Sequence, residues 1–263
     1  MSETTQEMNS KYKKTKRYLS LVFFLLIVVL AARYIEFSLI ELLQSIPQII
    51  SFIVVDFFPP SFSDIGSYMG PVIDTLYISI AATTISSVIA MFFGFMMSYK
   101  TTPHPMVRVV IRGIVTFFRS IPFLLWASLL VVILGVGVLP GIMGLILFGS
   151  AFLARVYAES IEEINSDSLE AMDAAGATYF HKIKHAVIPQ FLPSFFSWTL
   201  FMFEINIRAS AILGVVGAGG IGVLIKETMD LFQYGQTSMV ITIMIIMILF
   251  VEYITNRIRR RLI

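Results

Sequence analysis

Ser168 to Pro193 reads SLEAMDAAGATYFHKIKHAVIPQFLP, a polar interruption between two long apolar runs. It carries His181, Lys182, Lys184 and His185 in a chain otherwise poor in charge. Leu169, Met172, Gly176, Tyr179, Ile183 and Val187 recur at three- and four-residue steps, the period of an amphipathic helix. Asp167 followed by Glu170 predicts an N-cap with an acid at N3. Gly176 permits a bend, and Pro189 with Pro193 marks the passage into the next apolar run. A helix held by membrane on both sides that keeps a small-residue face (Ala171, Ala174, Ala175, Gly176) suits a socket in a soluble partner.

Composition sets the surroundings. The chain is 57% hydrophobic and 14% charged, against about 25% charged residues in soluble domains. Long uncharged runs place it in a bilayer. There is no Cys, which excludes disulfides and thiolate metal or redox sites. The basic N-terminus and the apolar run after it form a permanent anchor rather than a cleaved signal, because further apolar runs follow throughout.

In order, residues 1–17 form a polar tail with Lys11, Lys13, Lys14, Lys16 and Arg17. Tyr18 to Ile35 is a first span. Glu36 to Pro60 is broken by Glu41, Pro47 and Asp56 and is expected to lie in the interface. Thr75 to Tyr99 is a span, and Lys100 to Arg112 a basic loop. Ser120 to Ala154 is too long for one uncharged helix, and Gly135, Gly137, Pro140 and Gly141 divide it into a hairpin of two spans. Ala186 to about Ile225 contains a fifth span and a glycine-rich break. Leu231 to Val251 is the sixth. The domain boundaries follow: a tail over 1–17, first span and external segment over 18–70, a core over 71–256 with a loop at 165–186, and a basic end over 257–263.

Charge sorting supports this order. With six spans both termini share a side. That side holds fourteen Lys and Arg, from the tail, Lys100 to Arg112, Lys182, Lys184 and the last turn, against Arg33 and Lys226 opposite. The positive-inside rule then makes the opening stretch cytoplasmic.

Phe203 to Ser210 (FEINIRAS) is the most unusual apolar stretch, since ionisable groups within spans are costly and line an interior or a water cavity. Glu204 and Arg208 stand four apart and can pair on one face. With Asn206 and Ser210 they either hold the fold or line a transport path. Gly214 to Gly222 reads GVVGAGGIG. Gly217, Gly219 and Gly222 match G-x-G-x-x-G by chance, since no strand precedes them and no acid follows about 20 residues on. These glycines, with Gly220, fit close helix packing, unwound backbone beside a cavity, or a gate. His181 and His185 have the spacing of a zinc pair, but Lys182 stands where the zincin acid belongs, and no metal is expected. The chain carries neither a Walker A motif nor a Gly-x-Ser-x-Gly elbow, so an enzyme is not expected.

Glu170-Ala171, Gly176 six residues on and Ile188-Pro189 resemble the EAA loop of bacterial ABC importer permeases. Met172 and Ala186 depart from the usual Ala and Ile. Phe57 to Pro60, Asp74-Thr75-Leu76, Arg119 to Pro122 with Trp126-Ala127, Ala158 to Glu162, Phe203 to Gly222 and Leu231 to Tyr234 extend the resemblance to the phosphonate-type permeases. It implies an all-α polytopic membrane protein, with six transmembrane helices of the type I importer architecture. It implies that Glu170, Ala171, Ala174, Ala175, Gly176 and Pro189 lie in a helix that docks on a cytoplasmic ABC ATPase dimer. A second permease chain, identical or paralogous, an extracytoplasmic substrate-binding protein and a bacterial inner-membrane location are implied with it. So is inward movement of phosphonate or a related phosphorus oxyanion, with ATP bound by the partner and no cofactor in this chain. Another small solute such as an amino acid, or a stand-alone secondary transporter, are the alternatives.

Overall fold

The computed structural model describes the backbone of residues 3–62 and 65–262, with side chains over 12–62 and 65–261. All regular structure among these residues is helical. The chain divides into two units, residues 1–56 and 57–263.

The first unit opens with α1 (Glu3–Tyr34). The basic tail expected to be a separate segment forms the first turns of this helix, consistent with the good helix propensity of its Lys, Glu and Gln residues. Its apolar part, Tyr12–Tyr34, is 23 residues long, about 34 Å. Side chains from Leu19 to Leu30 are exposed on every face, as lipid solvation allows. After a turn at Glu36, α2 (Leu39–Ser51) begins at Ser38, whose hydroxyl accepts a hydrogen bond from Glu41 N at 3.2 Å. A π turn over Phe52–Phe57 prolongs it. Leu39–Phe57 is thus 19 residues long and apolar enough to cross a bilayer, where the sequence suggests an interfacial segment.

The second unit holds the packed core. α3 (Ile65–Met97) begins ten residues before the expected span. Lys100 to Arg112 is not simply a loop: α4 (Pro105–Ser120) starts there, with the His104 ring nitrogen accepting from Met106 N and Pro105 in the first turn. α5 (Phe123–Leu134) follows at an 82° bend. Its 12 residues reach about 18 Å, too short to cross alone, so the first arm of the expected hairpin is shared between two helices. α6 (Val138–Glu162) is the second arm.

Length and composition qualify six helical segments as spans, and the bent α4–α5 pair could make a seventh. Contacts within the unit show that this pair links opposite ends of the bundle. The end of α3 meets the end of α6, where Tyr99 N donates to Glu162 Oε1 at 3.0 Å. α5 instead packs near the start of α6: a Cβ on Gly144 would lie 2.9 Å from Ala127 N. A methyl group there would push the two backbones apart, and such small-residue contacts let helices associate in lipid.

The chain then forms α7 (Ser166–Ala174), α8 (Tyr179–Lys182), α9 (Ile188–Leu213), α10 (Ile221–Asp230) and α11 (Tyr234–Leu262). The largest buried cluster joins α3, α6 and α9 around Tyr157, Phe191 and Met202. Tyr157 is fully buried, and its hydroxyl lies 2.6 Å from Thr199 Oγ1, which satisfies the one polar atom that burial would orphan.

Candidate coupling segment and polar span

The polar interruption does not form one helix. Asn165, two residues before the expected cap, accepts from Asp167 N at 2.8 Å and starts α7. Asp167 sits in the first turn, where its charge favours the helix dipole. α7 ends at Gly176, which adopts φ +74° and donates its N–H to Asp173 O at 2.9 Å. A left-handed glycine closing a helix is the stop a side chain would resist. Beyond it, α8 and a π turn over Ile183–Val187 lead without interruption into α9.

Lys182 Nζ reaches back across the bend to Asp173 Oδ1 at 2.6 Å, so the two arms form a braced bracket. Leu169 and Ile183 pack against the main core cluster. Glu170, Ala171, Ala174, Ala175 and Gly176 are exposed, as is Pro189 in the first turn of α9. Five of the six residues assigned to docking lie on α7 and its stop, and Pro189 lies apart from them in sequence at the start of α9. The His181 and His185 rings stack at 5.8 Å, and His181 Nδ1 lies 2.8 Å from Thr178 Oγ1.

The polar residues of α9 diverge. Asn206 is fully buried and donates to Thr83 Oγ1 of α3 at 2.8 Å. Ser210 is 1% exposed. Glu204 turns to α11, accepting from Thr255 Oγ1 and pairing with Arg259 at 2.9 Å. Arg208 pairs with Glu252 of α11 at 3.3 Å, both side chains nearly half exposed. The expected Glu204–Arg208 pair is not formed, because antiparallel α11 offers each a partner of opposite sign. Arg259 stands in the last, basic turn of α11. Glu204 thus meets the basic end of α11, whereas Arg208 meets Glu252, seven residues earlier along the same helix.

The glycine run folds as a tight break. Gly214–Val216 is a single 3-10 turn, and Gly217, Gly219 and Gly220 all have positive φ. Gly217 O accepts from Gly137 N at 2.9 Å, and Thr75 Oγ1 of α3 accepts from Ile221 N at 2.8 Å. Gly214 and Gly222 abut so closely that a Cβ on Gly214 would fall 1.9 Å from Gly222 C. Close packing accounts for these two; left-handed backbone accounts for the other three.

Sequence reading missed the partners: Arg259, Thr255 and Glu252 for the α9 charges, Thr83 for Asn206, and Arg112, which pairs with Glu162 at 2.6 Å. Charges at the very ends of apolar runs were the available signal, but nothing in their spacing says which end meets which.

Residues 90–263 match the family described as the binding-protein-dependent transport system inner membrane component, and the chain belongs to that family. It is 34% identical over 89% of its length to the phosphite transport system permease protein PtxC of Stutzerimonas stutzeri, covering 85% of that protein. It is 34% identical over 77% of its length to the phosphate-import permease protein PhnE of Mycolicibacterium smegmatis, covering 38% of that longer protein. In fold it is similar to the MetNI methionine ABC transporter solved in inward-facing conformations, with TM-score 0.68, 23% identity, and coverage of 77% of this chain and 99% of that one. The architecture is that of an ABC importer permease.

Proposed function

We propose that this chain is the membrane permease subunit of an ABC importer that moves a phosphonate, phosphite or related phosphorus oxyanion inward. The observation that carries the mechanism is the braced bracket around Gly176, which offers Glu170, Ala171, Ala174 and Ala175 to a partner. The substrate class rests on the names of the phosphite and phosphate permeases it resembles. The partners are a cytoplasmic ABC ATPase dimer that binds the ATP, a second permease chain and an extracytoplasmic binding protein. The chain itself is not an enzyme. Closure of the ATPases pushes on α7, and rigid-body movement of the spans switches access from one side to the other. That requires the segment to contact the two ATPase states differently. Of the α9 residues considered for the path, Arg208 is nearly half exposed and is the one assigned to line it. Glu204, Asn206 and Ser210 are packed inside the bundle and support its wall. The glycine break at Gly217, Gly219, Gly220 and Gly222 is assigned to the gate.

The chain lies in the plasma membrane with both termini cytoplasmic. Basic residues at the tail, Lys100, Lys182 and Arg257 to Arg261 then share the inner side. That parity lets α1, α3, the α4–α5 pair, α6, α9 and α11 cross, and keeps Leu39–Phe57 in the outer interface, despite its length. Glu41, Pro47 and Asp56 suit it to that position.

Gly176→Asp tests the docking role. Nothing lies within 4 Å of a Cβ at Gly176, and Asp tolerates left-handed backbone better than most residues. The expected result is normal membrane abundance with ATP hydrolysis uncoupled from uptake. Normal assembly and transport would refute docking through this bend. A methionine import permease of Bacillus subtilis is 30% identical over 59% of this chain, which favours an amino acid as the second reading. Ligand binding by the cognate binding protein, phosphite against methionine, separates the two.

A further inference from the structure

We infer that the turn joining α3 to α4 is a second output of the coupling segment, held by Glu162 and Tyr179 as positioning residues. The inference rests on the coupling role proposed above. Covalently, the segment continues only into α6 and α9. Three further ties reach the turn after Met97. Glu162, the last residue of α6, accepts from Tyr99 N at 3.0 Å and pairs with Arg112 of α4 at 2.6 Å. Lys100 Nζ donates to Ile164 O, just before the Asn165 cap. From the far arm of the bracket, the Tyr179 hydroxyl donates to Thr101 O.

The turn is a firm seat. Ser98 and Thr101 are buried. Thr101 Oγ1 donates to Phe95 O at 2.6 Å, and Arg112 Nε donates to Met97 O at 3.2 Å. Both arms of the bracket therefore grip one rigid point, one on each side of the bend that Asp173 and Lys182 brace. Load on α7 then enters α3 and α4 directly. α3 in turn carries Thr83, bonded to Asn206, and Thr75, bonded to Ile221 N at the glycine break. The contacts thus run from the docking surface to the polar span along α3.

The test uses the complete transporter, with ATPase and binding protein, in proteoliposomes, and phosphite as probe. Tyr179→Phe removes one hydroxyl and Glu162→Ala removes the carboxylate. Each is expected to lower phosphite moved per ATP hydrolysed by roughly 5- to 30-fold, while complex yield and basal ATPase rate hold. Glu162→Gln, which can still accept from Tyr99 N, should fall between wild type and Ala. An unchanged transport-to-ATP ratio in Tyr179→Phe and Glu162→Ala would overturn the inference, as would loss of the complex in both, which would make the ties merely structural. If Gly176→Asp uncouples while these variants do not, only this inference fails. If Gly176→Asp also transports normally, the docking role has failed first.

Discussion

Glu204 lies 2.9 Å from Arg259, 55 residues further along the chain, and leaves Arg208 on its own helix to another partner. The Glu204 carboxylate is 8% exposed as a residue and takes a second hydrogen bond from Thr255. Removing Glu204 leaves Arg259, whose side chain is 26% exposed, without its partner, a loss of about 1–3 kcal/mol, less than for a fully buried pair. Glu204→Ala is therefore expected to lower the thermal unfolding temperature of the purified protein. Glu204→Ala with Arg259→Met should recover part of that loss. A double variant no more stable than Glu204→Ala alone would mean that the pair holds nothing.

Arg208 and Glu252 make a different prediction. Their pair is nearly half exposed, so its net contribution is about 0–1 kcal/mol. Arg208→Ala should leave membrane abundance unchanged. An exposed ion pair within an apolar span is poorly matched to lipid and suits a water-facing surface. Uptake should therefore fall in Arg208→Ala and return in part when Arg208→Glu is combined with Glu252→Arg. Unchanged uptake in Arg208→Ala removes the residue from the path.

Two kinds of glycine should behave differently. A Cβ on Gly222 would lie 1.9 Å from Ala211 O, a backbone atom that cannot step aside. Gly222→Ala is expected to abolish folded protein in the membrane. A Cβ on Gly217 meets only the side-chain end of Val136, at 2.9 Å, and adds left-handed strain of roughly 1–2 kcal/mol. Gly217→Ala should assemble with reduced stability. Fluorescence-detected size exclusion of the two variants makes the comparison, and equal yields would contradict the packing argument.

The Asn206–Thr83 bond pins α9 to α3 at 2.8 Å inside the bundle. Thr83→Val leaves the Asn206 amide without an acceptor, a cost of about 1–3 kcal/mol. Asn206→Leu with Thr83→Val removes both polar groups and should be less damaging than Thr83→Val alone. Chemical denaturation in detergent micelles measures the difference. If the double variant is the weaker of the two, the hydrogen bond is not what holds this seam.

Much was legible along the chain because bilayer burial writes itself locally. Uncharged runs of sufficient length mark spans, and Gly176 marks the bend. Where the reading slipped, a neighbour or an alternative start decided. Asn165 took the cap from Asp167 because it could reach Asp167 N. The basic loop became α4 because Pro105 and His104 start a helix there, and Ile111, Val115 and Phe118 found a core to pack on. α2 gained its length from a π turn that no periodicity announces.

Sequence alone determined that this is a helical membrane protein with a polar interruption between apolar spans, since hydropathy and charge act residue by residue. Only the tertiary structure decided who meets whom: Glu204 with Arg259, Asn206 with Thr83, Glu162 with Arg112 and Tyr99. Ion pairs and hydrogen bonds act over a few ångströms, and those distances are set by how antiparallel helices are brought together, not by spacing along any one of them.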